Sequence, residues 1–211
     1  MNLASPVKKK SNLISCSYFP VNKNITLVYG SSFGESFTQY FEDGGFTVSS
    51  RKGDKFKFKQ SLIIQNDGVY VKEVYEHLNI FLFIKKDETN TYEKPLFRFP
   101  LPLSPGMEWN WEGDECCDGT TSRIKVTGKA FDIESVNTKA GTFDAIKLES
   151  TIEGASNSKN HVTEWYAEGM GLIKAKIIID GGGIMGILRD VLGYGTIEFE
   201  LKEIRKDKSD L

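Results

Sequence analysis

Five residues near the N-terminus, Gly30-Ser31-Ser32-Phe33-Gly34, have the G-x-S-x-G spacing of a hydrolase nucleophile elbow. In such an elbow the serine lies on a sharp turn between a strand and a helix, and a histidine takes its proton. The two histidines, His77 and His161, fall in a strand pattern and at a strand start. The fold would also need alternating strands and long helices, which the chain lacks. We expect a strand followed by a turn here, and a hydrolase using Ser32 or a carboxylate pair is the least favoured alternative.

Two adjacent cysteines, Cys116 and Cys117, lie inside the acidic run Asp114-Glu115-Cys116-Cys117-Asp118, which has the residue types of a metal loop. Zinc sites usually place two or more residues between cysteines, and neither histidine is near in sequence. Adjacent cysteines also seldom form a disulfide with each other, because the geometry is strained. We therefore predict an acidic loop tip, with no metal and no cofactor.

The tryptophans are the residues that best suit a binding role. Trp109 and Trp111 are two residues apart, so on a strand they share one face, whereas Trp165 and Tyr166 face opposite ways. Aromatic side chains can fill a β core, or they can line an apolar cavity inside a curved sheet. We predict Trp109, Trp111 and Trp165 as ligand-binding residues.

Composition excludes several classes of function. The chain has 211 residues, with 27 Lys and Arg against 29 Asp and Glu, for a net charge of −2. This balance argues against a nucleic-acid partner, which would require a basic surface. No apolar stretch reaches the length of about 18 residues that a transmembrane helix needs, so none is predicted.

The elements that position these residues are mostly strands, because apolar and polar residues alternate along much of the chain. Clear examples are Ile124 and Val126, and Ile197 with Phe199 and Leu201. Gly128 interrupts one such run, and the apolar phase resumes at Phe131, which predicts a bulge at the glycine. The proline-rich stretch from Pro95 to Pro105 predicts a connection or a sheet edge, since proline lacks the ladder donor.

One segment has helical rather than strand periodicity. After three glycines at 181–183, one helix face would carry four apolar residues. They are Ile184, Ile187, Leu188 and Val191. We predict a short helix that packs on the concave side of the sheet, and we include these four residues among the ligand-binding candidates. A lid over a cavity and a patch that touches a membrane or a partner are the alternatives.

The N-terminal segment has lysines but no apolar run after them, so no signal peptide is predicted. Leu13-Ile14-Ser15-Cys16 has the form of the box cleaved in bacterial lipoproteins, although Lys8, Lys9 and Lys10 stand where its apolar run should be. We divide the chain into a flexible tail at 1–17, one β-rich domain at 18–206 and a C-terminal tail at 207–211.

Four patches taken together resemble one family. They are Tyr18-Phe19-Pro20, the run from Pro100 to Trp109, Ala140-Gly141-Thr142-Phe143, and the run from Trp165 to Lys174. In this order they resemble the TapB-like bacterial envelope proteins, over about residues 18 to 205. The resemblance implies a fold similar to the lipoprotein carriers LolA and LolB, a half-barrel around a helical plug. It also implies a periplasmic or membrane-associated location, and it transfers no catalytic residues.

These observations predict a mainly β, single-domain protein with a curved antiparallel sheet, a half-barrel with a short helix on its concave face. The predicted function is non-catalytic binding of a lipid, another apolar ligand or a lipoprotein segment in that concavity. The alternative is a protein–protein interaction module that uses a sheet edge or the 95–105 loop, with another envelope protein as partner.

Overall fold

The computed structural model describes residues 18, 25–32, 34–40, 46–50, 56–80, 84–154, 158–181 and 195–206. Within these residues the chain forms twelve β-strands. They are β1 (Ile25–Ser31), β2 (Gly34–Tyr40), β3 (Phe46–Ser50), β4 (Phe56–Gln65), β5 (Gly68–Ile80), β6 (Ile84–Pro100), β7 (Glu108–Cys117), β8 (Thr120–Thr138), β9 (Gly141–Glu153), β10 (Lys159–Ala167), β11 (Gly171–Asp180) and β12 (Thr196–Lys206).

Every strand pairs antiparallel with its neighbours in sequence, and the first strand also pairs with the last. Ile25 lies opposite Lys206 and Leu27 opposite Ile204, so the strand order closes into a barrel. The prediction of a mainly β chain with one curved antiparallel sheet is confirmed. The sheet curves further than the predicted half-barrel, because pairing β1 with β12 leaves neither strand with a free edge.

The inner face of the sheet, defined here by its largest buried cluster, draws residues from β4 to β10 and from the β6–β7 loop. Alternation along each strand places every second side chain on this face. The buried members are Leu62, Val69, Val71, Val74, Phe99, Leu103, Trp109, Ala130, Ile146, Leu148 and Tyr166. These side chains form the main core.

A second cluster adjoins the main core, and Phe199 of β12 packs against both. Ala145 and Ile146 are consecutive on β9, yet Ile146 belongs to the inner cluster and Ala145 to the second. Tyr29 of β1 and Leu201 of β12 join Ala145 in this second cluster. The β8–β9 turn is drawn toward β12 by a hydrogen bond of 3.3 Å, donated by the Ala140 amide to the Leu201 carbonyl.

The interruption in β8 lies beyond the glycine that was expected to cause it. Gly128 pairs regularly with Trp109 and with Ser150, and the register shift falls between Ala130 and Ile133. A β-carbon on Gly128 would overlap the indole of Trp109. The bulge prediction at Gly128 is therefore wrong, and the glycine makes room for a neighbouring aromatic ring.

The proline-rich stretch is partly strand and partly connection. β6 continues through Pro95 to Pro100, and the loop that follows turns back to place Leu103 in the core. The loop ends by joining β8, where Ala130 accepts from the Gly106 amide at 2.9 Å and donates to Met107 at 2.8 Å. The connection seals this end of the inner face with its own side chains.

Several sequence expectations fall outside the described residues. The predicted helix over Ile184 to Leu192 and both predicted tails do so, and these remain predictions. A nucleophile elbow would require a helix after Ser32, but Gly34–Tyr40 form strand β2. Among the described residues, no helix has the length and apolarity needed to span a membrane.

Candidate functional site

Trp109 and Trp111 share the inner face, as their spacing predicted. Along β7 the exposed residues Glu108, Asn110 and Glu112 alternate with the buried tryptophans. The side chain of Trp109 is 6 % exposed and that of Trp111 is 3 % exposed. The two indoles therefore form part of the apolar wall inside the sheet.

Each indole lies over a glycine that lacks the side chain to obstruct it. The ring of Trp109 covers Gly128 on the paired strand β8, and the ring of Trp111 covers Gly113 two residues further along β7. The absence of a β-carbon at each glycine lets the ring approach the strand backbone closely. The glycines thus help to orient the two tryptophans.

Within the described part of the chain, both indole N–H groups are buried without a hydrogen-bond partner. Tryptophan Nε1 is a donor only, and buried indoles usually find an acceptor. A buried donor without an acceptor costs about 1–3 kcal/mol of stability. Two such donors, those of Trp109 and Trp111, lie two residues apart on β7; Thr38 Oγ1 and Asn90 Oδ1 are the other buried side-chain atoms without a partner in the described part of the chain.

These tryptophans lie where the ladder between β6 and β7 opens. Within the described residues the two strands pair only at Asn90–Cys117, Thr91–Cys116 and Tyr92–Glu115. Leu96–Pro100 of β6 and Glu108–Asp114 of β7 have no ladder pairing with each other, and we call this unpaired interval the β6–β7 seam. The strand order forms a closed barrel, but the backbone hydrogen bonds between β6 and β7 are interrupted along this interval.

Side chains rather than backbone bonds close the seam. Trp111 forms a small buried cluster with Ile124 and Val126, against which Leu96 and Phe97 of β6 pack. The ring of Tyr92 meets that of Trp111 edge-on, with centroids 6.0 Å apart. Packed apolar side chains therefore hold the wall together at the seam, where the ladder is missing.

A bulge on β6 brings Arg98 into a polar cluster with residues of other strands. Val69 pairs with Phe99 and Tyr70 with Phe97, so Arg98 has no residue opposite it on β5. Extra residues of this kind re-aim side chains. The guanidinium of Arg98 bonds Gln60 on β4, as well as two residues on β10 that are described next.

The partners of Arg98 on β10 are Glu164, at 2.8 Å, and the hydroxyl of Tyr166, at 2.7 Å. Tyr166 in turn donates to Glu164 at 3.0 Å. The side chains of Arg98 and Glu164 are only 13 % and 14 % exposed. Burial lowers the pKa of Arg98, but Tyr166 and Glu164 outweigh it and hold that pKa above its usual value.

An acidic group extends the inner face beyond Trp111. Glu115 lies two positions past Gly113 on the same face of β7, and it accepts from Tyr92 at 3.2 Å. Glu76 and Glu88 both pair with Lys86 nearby. Burial raises the pKa of Glu115. We call these three carboxylates and one lysine the acidic end.

The other predicted ligand-binding residues lie elsewhere. Trp165 is on the face of β10 opposite Tyr166, where its indole donates to Glu134 and Lys174 lies 5.4 Å from its ring centroid. It does not share the inner face with Trp109 and Trp111. The four candidates of the 184–191 segment are outside the described residues and remain predictions.

Ser32 lies in the β1–β2 turn, beside a polar surface cleft of about 370 Å³ that Lys139, Glu198 and Glu200 also line. Its hydroxyl accepts a bond of 3.0 Å from the backbone amide of Glu198. Both histidines bond elsewhere, as His77 contacts Asp87 and His161 contacts Thr151. The G-x-S-x-G pattern here is a hairpin turn with no histidine placed as its base.

The prediction of a loop tip at Asp114–Asp118 is wrong for most of that run: Asp114 to Cys117 pair with β8 as the end of strand β7. Only Asp118 and Gly119, both with positive φ, form the β7–β8 turn. Glu88, Cys117 and Asp118 bring their potential ligand atoms within 4.8 Å of one another. Burial and a hydrogen bond of 3.4 Å to Glu88 raise the pKa of Cys117 to about 11. A metal ligand or nucleophile needs the thiolate, which this environment disfavours.

Sequence reasoning did not find Arg98 and Glu164 as part of the inner polar cluster. Arg98 stands between Phe97 and Phe99, and Glu164 has the same strand phase as Tyr166. The sequence feature that could have pointed to this cluster is a charged residue between two aromatic residues in a predicted strand. Its meaning depends on the bulge, which only the pairing with β5 reveals.

Fold and site together define an all-β protein with an apolar inner face, a partly unpaired ladder and a buried polar cluster. A family model described as DUF3108-like matches residues 117–182. No curated protein is significantly similar to the chain.

Three solved structures are similar to the chain. A predicted lipoprotein from Parabacteroides distasonis has 11 % identity and a TM-score of 0.45, with 91 % of this chain and 100 % of that one covered. A predicted exported protein with a YmcC-like fold from Bacteroides fragilis has 14 % identity and a TM-score of 0.40, with the same coverage. The hypothetical lipoprotein YmcC from Escherichia coli K12 has 10 % identity, a TM-score of 0.45 and 88 % coverage of each chain.

Proposed function

We propose that the protein is a non-catalytic envelope protein that binds an apolar or amphipathic ligand on the inner face of its sheet, at the β6–β7 seam. The observation that carries the proposal is the pair of buried, unpartnered indole N–H groups of Trp109 and Trp111. They lie on the part of β7 that has only β8 as a ladder neighbour. An apolar wall with a few polar groups is the usual composition of a small-molecule site.

The envelope location rests on the family resemblance of the sequence patches and on the Leu13-Ile14-Ser15-Cys16 box. The resemblance to the LolA and LolB carriers likewise favours a lipid or a lipoprotein segment as the ligand. Fractionation of cells that express the chain from its own gene tests the location. Recovery in the cytoplasmic fraction alone would remove this part of the proposal.

Tryptophan fluorescence with brominated lipids tests the binding site directly, because bromine quenches only rings that it approaches closely. The chain has three tryptophans, so a Trp165→Phe variant emits from Trp109 and Trp111 alone. The matched control, Trp109→Phe with Trp111→Phe, emits from Trp165 alone. Brominated fatty-acid esters should quench the first variant and leave the control unchanged. Equal quenching of both, or quenching of neither, would contradict the proposal.

The second candidate is an interaction module, which the unpaired backbone at the seam favours. Alternate N–H and C=O groups of Glu108–Asp114 have no ladder partner on the β6 side. Such an edge can accept an extended segment of another protein as an added strand. Amide hydrogen exchange separates the two candidates. An added strand would protect alternate β7 amides from exchange, whereas an acyl ligand would protect none of them through hydrogen bonds.

A further inference from the structure

The two unpartnered donors indicate more about the ligand than its apolar character. We propose that Nε1 of Trp109 and of Trp111 donate to ester carbonyl oxygens, so that the site selects an acyl ester without a negatively charged head. This inference rests on the proposed binding function and specifies the ligand class of the same site.

The acceptor requirement follows from the chemistry of indole. Tryptophan Nε1–H can donate but cannot accept, and both groups are buried in an otherwise apolar wall. A pure hydrocarbon would leave both donors unsatisfied after binding. A ligand with carbonyl oxygens along its chain would satisfy them, which adds affinity that the hydrocarbon cannot reach.

The charges nearby argue against an anionic head. Glu115 follows Trp111 on the same face of β7, and Glu76 and Glu88 lie close to it with Lys86 as their shared cation. A carboxylate ligand at Trp111 would lie on the same face as this acidic end, with Glu115 four residues, about 13 Å, further along the strand. At that distance the carboxylates disfavour an anionic head over a neutral one without any direct contact.

The other buried cation is already compensated. Arg98 is held by Glu164, Tyr166 and Gln60, so binding a free carboxylate there would compete with Glu164 for its only cation among these partners. Removing the partner of a buried charge is strongly unfavourable. A neutral ester carbonyl needs no counter-ion. It is only a hydrogen-bond acceptor, and the two indole N–H groups can supply the donors.

The experiment compares three probes of similar chain length: methyl laurate, laurate and dodecane. Affinities are measured in the Trp165→Phe variant and in a form of it with both remaining tryptophans replaced by benzothienylalanine, which keeps the ring shape and removes the N–H. We expect methyl laurate to bind about threefold to tenfold more tightly than dodecane for each indole bond formed. Laurate should bind less tightly than its methyl ester at neutral pH.

In the benzothienylalanine protein the preference for methyl laurate over dodecane should disappear, while dodecane affinity stays within about twofold. An unchanged ester preference, or tighter binding of laurate than of its ester, would overturn the inference. Failure of all three probes to bind would instead contradict the proposed function. If the benzothienylalanine protein does not fold, Trp109→Phe and Trp111→Phe in the Trp165→Phe background each remove one donor, and at least one of them should reduce the preference for methyl laurate over dodecane about threefold to tenfold.

Discussion

At the scale of single residues, the glycines beneath the tryptophans have a packing role that substitution can measure. A β-carbon at Gly128 would overlap the Trp109 indole, whereas one at Gly30 would meet nothing within 4 Å. Gly128→Ala should lower the free energy of unfolding by about 1–3 kcal/mol through overpacking. Gly30→Ala is the control and should shift it by less than about 0.5 kcal/mol. Urea denaturation of both variants tests this, and equal losses would contradict it.

The buried ion pair at Arg98 is expected to matter far more than an exposed one. Arg98→Met would leave Glu164 buried without its cation and should cost about 3–5 kcal/mol of unfolding free energy. Adding Glu164→Gln should restore part of the loss, because the unpaired charge is then gone. Arg205→Met breaks an exposed pair with Glu203 and should leave stability nearly unchanged. Thermal or urea denaturation of these variants measures the change in unfolding free energy. A small loss of unfolding free energy in Arg98→Met would contradict the argument that the pair is buried.

The thiol of Cys117 should be unreactive at neutral pH. Its pKa is raised to about 11, first by burial and then by Glu88, so the thiolate forms only as the pH approaches that value. In a variant with Ser at Cys16 and Cys116, iodoacetamide labelling should accelerate steeply with rising pH. Glu88→Gln removes one cause of the shift and should increase the rate at any given pH. A rate at neutral pH equal to that of the urea-unfolded protein would disprove the raised pKa.

At the scale of elements, the short ladder between β6 and β7 can be tested through its register. Thr91 lies opposite Cys116, whereas Tyr92 lies opposite Glu115. In a Cys117→Ser background, Thr91→Cys should form a disulfide with Cys116 on oxidation and add about 2–4 kcal/mol of stability. Tyr92→Cys, one residue out of register, should not crosslink. The reverse pattern of crosslinking would show that the three ladder pairs are misplaced.

Strand positions were predictable from the sequence, but their irregularities were not. Two-residue alternation placed Trp109 and Trp111 on one face, because side chains alternate whatever the partner strand. The bulges at Arg98 and after Ala130 depend on how many residues the neighbouring strand contributes. This difference in residue number exists only between two paired strands, so the sequence of one strand does not reveal it. Gly128 shows the ambiguity, since a glycine in a strand suits a bulge or a close neighbour equally.

At the scale of the whole molecule, closure depends on one long-range pairing that no local pattern reveals. A chain that ends at Gly195 lacks β12 and should expose the edges of β1 and β11, two strands with apolar faces. We expect it to aggregate, as size-exclusion chromatography would show. A chain that ends at Lys206 keeps all twelve described strands and is the control. A monomeric, folded protein ending at Gly195 would show that β12 is dispensable for closure.

The pairing of Ile25 with Lys206 brings the start of the first strand beside the end of the last. Neighbouring strands in the barrel are also neighbours in sequence, except for β1 and β12. Any strand could therefore come first in the chain without changing which strands are paired. The architecture is thus circular, and a short peptide joining these two ends would leave every ladder intact. New termini could then be cut at the β7–β8 turn, for example, and the permuted chain should fold to the same ring.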